Sequence, residues 1–295
     1  MKASKFTMKQ FNEQYPNDDA CLERILKGRY PNGVFCPSCQ RITKHYKRNG
    51  VKVYACEFCG HSVSPTAGTI FHKSDTSLRS WFHAMFLMST TRTGISAKQL
   101  ERELGVTYKT AWRMFRQIRS LMAEDVAPLS GQVEVDETYI GGRRAGKRGR
   151  GASGKAIVMG MVERDGKAIT TIVPNVQRRT LLPMIRANVA RQNKTVIFTD
   201  ELPGYERIER LGYAHEIVQH AAKQYVHGIA HVNTVESLWS NIKRGISGVN
   251  HSVSPLYLQS YLDSYVFRYN HRKDEQPMFE SLLGRVATQK EAVKP

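Results

Sequence analysis

Three acids stand where an acid is costly. Asp136 lies in Gln132-Val-Glu-Val-Asp-Glu-Thr-Tyr-Ile140, whose alternation of apolar and polar residues is that of a strand. Val133, Val135 and Tyr139 share one face, and Glu134, Asp136 and Thr138 the other. A carboxylate in such a strand must meet positive charge when it loses water. The pattern returns at Thr195-Val-Ile-Phe-Thr-Asp200, a run of strand formers ending on an acid. Glu236 stands after a further 35 residues, in Val232-Asn-Thr-Val-Glu-Ser-Leu-Trp239, where the period turns helical. Two aspartates on strands and a glutamate on a helix can converge on a pair of divalent cations.

The cysteines carry a different metal chemistry. Four of the five form Cys36-Pro-Ser-Cys39 and Cys56-Glu-Phe-Cys59, with sixteen residues between the pairs. Each pair presents two thiolates at a tight turn, and two such knuckles complete a tetrahedral zinc site. No βαβ pattern of a redox protein surrounds either pair. Four thiolates leave no open position, so this zinc is structural. Cys21, on a helix expected from Asp18 to Lys27, is a buried apolar residue without a ligand role. His215, His220, His227 and His231 do not make a second zinc site, because the stretch 221–230 brings neither helical periodicity nor another ligand.

The elements that position these groups follow from periodicity. Leu78, Trp81, Phe82, Met85 and Phe86 form the apolar stripe of a helix. Ser96-Ala-Lys-Gln99 opens a short helix, Gly105 permits a turn, and a longer helix starts at Thr107. Lys109, Arg113 and Arg116 lie on the outer face of that helix, so the outline is a helix-turn-helix contacting DNA. Gly141 to Lys155 holds six glycines and six basic residues in fifteen positions. It is no P-loop, since Arg148 and Ala156 stand where Ser or Thr would bind magnesium. A flexible loop in which Arg143, Arg144, Lys147, Arg148 and Arg150 close on a phosphate backbone fits it better. Two strands, 155–162 and 167–173, join across Glu163-Arg-Asp-Gly166. A helix over 178–190 then leads to the strand 194–200.

Asn233-Thr-Val-Glu236 opens a helix through Arg244 and leaves two readings. Asn233 capping the helix with Glu236 at N3 would make Glu236 a capping residue. Alternatively Glu236 is a metal ligand, with Lys243 two turns on to hold a phosphate and Asn233 as the rival third ligand. The last long helix is Pro255 to Tyr269, and residues beyond about 285 fray.

Composition narrows the partner. The chain of 295 residues has 44 Lys and Arg against 26 Asp and Glu, a net charge of +18. A polyanion is the expected partner, nucleic acid before membrane. No apolar run is long enough to cross a bilayer, and the N-terminus lacks the apolar core of a signal peptide. A soluble, intracellular protein is expected.

With these residues in place, the chain resembles the DDE transposases of bacterial insertion sequences that carry an N-terminal zinc ribbon. The resemblance rests on Val-Asp-Glu-Thr-Tyr-Ile-Gly-Gly (135–142), Phe-Thr-Asp (198–200), His-Val-Asn-Thr-Val-Glu-Ser-Leu-Trp-Ser-Asn-Ile-Lys-Arg-Gly (231–245) and Phe-Arg-Tyr-Asn-His-Arg (267–272). With the cysteine module it covers nearly the whole chain. It implies an α/β fold: a ribonuclease H-like mixed-sheet catalytic domain over 126–285, preceded by a zinc-ribbon segment over 1–75 and a helix-turn-helix over 76–125, with a tail at 286–295. It implies Asp136, Asp200 and Glu236 as ligands of two Mg²⁺ or Mn²⁺ ions. It also implies double-stranded DNA as partner, assembly of copies on that DNA, and a cytoplasmic, nucleoid-associated location. Two other functions are compatible with these motifs: a domesticated DNA-binding regulator without chemistry, and a structure-selective nuclease on the same fold.

Overall fold

The computed structural model describes residues 6–141, 155–191, 195–218 and 231–288. Its contacts divide the chain into two compact units, Met1–Met122 with Lys273–Pro295, and Ala123–Arg272.

In the first unit Thr7 caps α1 (Met8–Gln14) in a reciprocal box with Gln10, and Asn17 caps α2 (Asp18–Arg29). Short antiparallel strands follow: β1 (Val34–Cys36) with β2 (Arg41–Thr43), then β3 (His45–Lys47), β4 (Tyr54–Cys56) and β5 (Ser62–Val63). They are too small to enclose a core, and Phe35, Ile42, Tyr46 and Phe58 stay exposed. The stripe from Leu78 to Phe86 is buried on α3 (Leu78–Thr90). The short helix and the second helix are α4 (Ala97–Leu104) and α5 (Tyr108–Ser120), capped by Ser96 and Thr107. Gly105 joins them at a φ of +62°, a left-handed conformation that glycine adopts without strain.

This unit also takes back the chain's end. The stretch to 285 was expected to stay with the catalytic domain, with a frayed tail after it. Instead a helix at Met278–Thr288 sets Phe279 between Phe11, Tyr15, Phe82 and Phe86, with ring centroids 5.8–6.3 Å away. Phe279, Leu282, Leu283 and Val286 are all buried, and burying a stripe of that size outweighs fraying.

The second unit is built on β6 (Gln132–Ile140). It is the central strand of a five-stranded mixed sheet ordered β10-β9-β6-β7-β8, with β7 (Ala156–Glu163), β8 (Ala168–Val173), β9 (Val196–Thr199) and β10 (Ala214–Ile217). β7 runs antiparallel to both β6 and β8, while β9 runs parallel to β6, and β10 to β9. On one face α6 (Arg178–Asn188) packs Leu181 and Ile185 on Val133, Val135, Met159 and Met161. On the other, α7 (Asn233–Gly245) and α8 (Pro255–Asn270) cover Val158, Val162 and Phe198. This is the ribonuclease H-like order that the motifs implied. Because β6 is central, its polar face is covered as well, and Glu134 is fully buried.

The outer edge of β8 is closed by α8 side chains. Ile172 N–H donates to Gln259 Oε1 (3.1 Å), and Gln259 Nε2 donates to the Thr170 carbonyl (3.0 Å). Asn270 does the same at Ala168, accepting from its N–H at 2.7 Å and donating to its carbonyl at 3.1 Å. Two amides thus stand in for a neighbouring strand. Among the described residues no helix is long and apolar enough to cross a membrane.

Candidate active site

Parallel pairing sets Glu134 of β6 against Phe198 of β9. Asp136 comes two residues further along β6, on the same face as Glu134, and Asp200 stands just past the end of β9, close enough to act on Asp136. Across β7, Asp136 pairs with Gly160, where a Cβ would lie 2.4 Å from the Trp239 ring. Glycine leaves the space in which the indole of α7 crosses the strand, and Trp239 Nε1 donates to Asp136 Oδ2 at 3.0 Å. The Asp136 carboxyl is pushed up from 3.8 to about 6. Burial is the largest cause and Asp200 the next; Glu236 adds to the rise, while hydrogen bonds from Trp239 and the Glu137 backbone oppose it. Asp136 therefore feels the charge of both Asp200 and Glu236.

Glu134 shares that face of β6 and has the opposite surroundings. It accepts from Arg164 Nε at 2.7 Å, from the N–H groups of Thr234 (2.7 Å) and Val235 (3.0 Å), and from Thr234 Oγ1 (2.8 Å). Its charge is met by a guanidinium and by the positive end of α7. Asp136 faces acids instead. Oxygen donors held in mutual repulsion are the set that hard divalent cations take, so the residues present fit such ions.

The start of α7 bears on the capping reading of Glu236. Val232, not Asn233, is the N-cap, and it makes no side-chain cap bond. Glu236 falls one position beyond N3 and is exposed, and Glu134 fills the capping role from the strand. The Asn233 cap of the first reading is thus replaced by a carboxylate 100 residues away in sequence, which no local pattern could signal. Asn233 and Lys243 are exposed on the same helix.

The neighbouring acids separate. Glu201 is exposed, whereas Glu137 is buried and accepts from Tyr205 Oη at 3.0 Å. His215 bonds Thr199 Oγ1 through Nε2 (2.9 Å) and Glu209 through Nδ1 (3.0 Å), and His231 Nδ1 lies 3.2 Å from Glu134. His220 and His227 lie outside the described residues, as do Arg143, Arg144, Lys147, Arg148 and Arg150. Lys109 is exposed on α5. Arg113 is less outward than its spacing promised: half-buried, it donates to Ser74 Oγ at 2.8 Å and lies 5.6 Å over the Trp81 ring. Arg116 is half-buried too.

In the first unit the sulfurs of Cys36, Cys39, Cys56 and Cys59 all lie within 4.8 Å of one another. Asp136, Asp200 and Glu236 do not approach so closely. The Thr43 hydroxyl, 3.2 Å from Cys56 Sγ, holds that thiol down to about 6, whereas hydrogen bonding with Cys59 pushes Cys39 up to about 12. Sulfurs this crowded contend for protons, and a zinc ion is the charge that lets all four be thiolates. Cys21 is buried on α2, apart from them.

Known proteins resemble the chain over these same parts. An uncharacterized protein in transposable element ISH50 of Halobacterium salinarum is 28% identical, over 86% of this chain and 93% of its own. A transposase-like protein of Haemophilus influenzae is 27% identical, over 36% of this chain and 82% of its own. Among solved structures, the catalytic core domain of BIV integrase covers 52% of this chain and 94% of its own, at 14% identity and a TM-score of 0.34. A pre-cleavage Mos1 transpososome covers 72% and 79%, at 11% identity and a TM-score of 0.31. Residues 16–62 match the transposase zinc-ribbon domain and residues 128–270 the ISXO2-like transposase domain, so the chain carries a transposase zinc ribbon followed by an insertion-sequence DDE transposase domain, in the order that the motifs implied.

Proposed function

We propose that the protein binds the terminal inverted repeats of its element and catalyses metal-dependent DNA cleavage and strand transfer. The observation that carries this is Asp136: a half-buried acid, raised by burial and by Asp200 and Glu236, on the strand face where Glu134 is met by donors instead. Asp136, Asp200 and Glu236 are the residues that would hold two Mg²⁺ or Mn²⁺ ions. When bound, such a pair supplies positive charge for both the attacking and the leaving oxygen of an in-line displacement. Trp239 holds one oxygen of Asp136 in place, and Lys243 offers its ammonium to a phosphate oxygen. Attack by water breaks a phosphodiester and frees a 3′-hydroxyl; attack by that hydroxyl on target DNA forms the new phosphodiester and releases a target strand end. One site serves both steps.

The ribbon, held by structural zinc, and the α4–Gly105–α5 helix-turn-helix contact double-stranded DNA, with Lys109, Arg113, Arg116 and the basic loop 143–150 contributing charge. Copies of the chain assemble on the DNA, in the cytoplasm. The test uses DNA bearing the element's ends, with Mg²⁺. Asp200→Asn and Glu236→Gln should abolish cleavage and strand transfer and leave DNA binding intact or slightly tighter, because each removes negative charge near phosphate. Strand transfer near the native rate in Glu236→Gln would move the third ligand to Asn233.

A further inference from the structure

Glu134 is the acid that the proposed chemistry leaves over. It is fully buried on β6, two residues before Asp136 and on the same face. Its oxygens collect donors from separate elements. Oε1 takes Arg164 Nε (2.7 Å) and Thr234 Oγ1 (2.8 Å); Oε2 takes the N–H groups of Thr234 (2.7 Å) and Val235 (3.0 Å). The first N–H groups of a helix have no partner within it and favour negative charge. Thr234 and Val235 are the second and third residues of α7, and Glu236 is the next. Arg164 extends the fastening: Nη2 donates to the His231 carbonyl at 2.7 Å, just ahead of the helix, and the guanidinium lies 4.1 Å over the Phe198 ring.

One strand therefore carries both the acid that holds the start of α7 and the acid that faces Glu236. We infer that Glu134 is a positioning residue: by capping α7 from the strand, it sets where Glu236 stands relative to Asp136 and Asp200. This rests on the proposed cation site, and the experiment keeps the two apart. The reading is Mn²⁺ affinity of the full chain with its zinc in place, measured by calorimetric titration well below the Tm. It compares native protein, Asp136→Asn, Glu134→Gln and Tyr213→Phe.

Glutamine keeps the size of Glu134 but turns one acceptor into a donor that faces other donors. Mn²⁺ affinity should fall about 10- to 100-fold, the usual cost of losing a group that orients a ligand, with duplex DNA binding unchanged. Tyr213→Phe deletes a buried hydrogen bond to the Val189 carbonyl (2.8 Å) on the other face of the sheet. It should lower the Tm and leave Mn²⁺ affinity alone, as a purely structural loss does. A folded Glu134→Gln with native Mn²⁺ affinity overturns the positioning role. Should that variant fail to fold, Thr234→Val removes only the hydroxyl donor to Oε1. It should still weaken Mn²⁺ several-fold, and native affinity there overturns the role equally. If Asp136→Asn takes up Mn²⁺ as the native chain does, or the native chain takes up none, the cation site itself is refuted and Glu134 loses its role with it.

Discussion

Asp136→Asn should stabilise the 123–272 unit above neutral pH while removing its chemistry. The rise of the carboxyl from 3.8 to about 6 penalises the charged form in the fold. A difference of about 2.2, at about 1.4 kcal/mol per pH unit, is at most about 3 kcal/mol. The folded state holds the proton more tightly than the unfolded chain does. Its contribution to stability is thus fully present below about pH 4 and is lost as the pH rises through about 6. Asparagine never ionises, and its amide oxygen still accepts from Trp239 Nε1. Turning that charge-assisted bond into a neutral one costs about 1 kcal/mol. The net gain is about 2 kcal/mol above pH 7, or about 4–8 °C in Tm for a unit of this size. The assay is thermal unfolding from pH 4 to pH 8, with zinc retained and other divalent cations removed. Adding Mg²⁺ should then stabilise the native protein and not the variant. A variant less stable than native at pH 8, or a gain as large at pH 4 as at pH 8, refutes this account of Asp136.

Gly160→Ala would set a Cβ 2.4 Å from the Trp239 ring, costing about 1–3 kcal/mol by overpacking and displacing the N–H that holds Asp136. Adding Trp239→Leu should restore the Tm but not cleavage. Removing zinc, or Cys36→Ser with Cys39→Ser, should open the 34–63 region to proteolysis, and metal analysis of the native chain should find one zinc. Arg113→Ala should cost the first unit about 1–2 kcal/mol, since its bond to Ser74 and its place over Trp81 are lost. Lys109→Ala should leave the Tm within about 0.5 kcal/mol of native and lower the salt dependence of DNA binding by about one phosphate contact.

What was legible in the sequence is what local period and spacing encode. The strands at 132–140 and 196–199, the Asp165-Gly166 hairpin, the helices from 233 and 255 and the cysteine quartet each declare themselves within a few residues. What was illegible depends on a partner far along the chain. Glu134 and Asp136 occupy equivalent places in one alternating pattern, and only Arg164 and the start of α7 tell the acid met by donors from the one that faces other acids. The need for glycine at 160 arises from an indole on a helix. The C-terminal helix and the inward Arg113 likewise answer to partners, Phe11 and Trp81, that no window contains.

The amides that close β8 have a consequence for synthesis. Gln259 follows Ile172 by 87 residues, and Asn270 follows Ala168 by 102. At about 5–20 residues per second, the ribosome takes roughly 4–20 seconds to make the seal after it has made the strand. During that interval the outer edge of β8 has backbone groups with no amide to meet them, and another nascent chain can add a strand there. Chains translated close together on one message face this hazard most. Slow translation between codons 173 and 259 should therefore lower soluble yield, and substitutions at Gln259 or Asn270 should make that interval permanent.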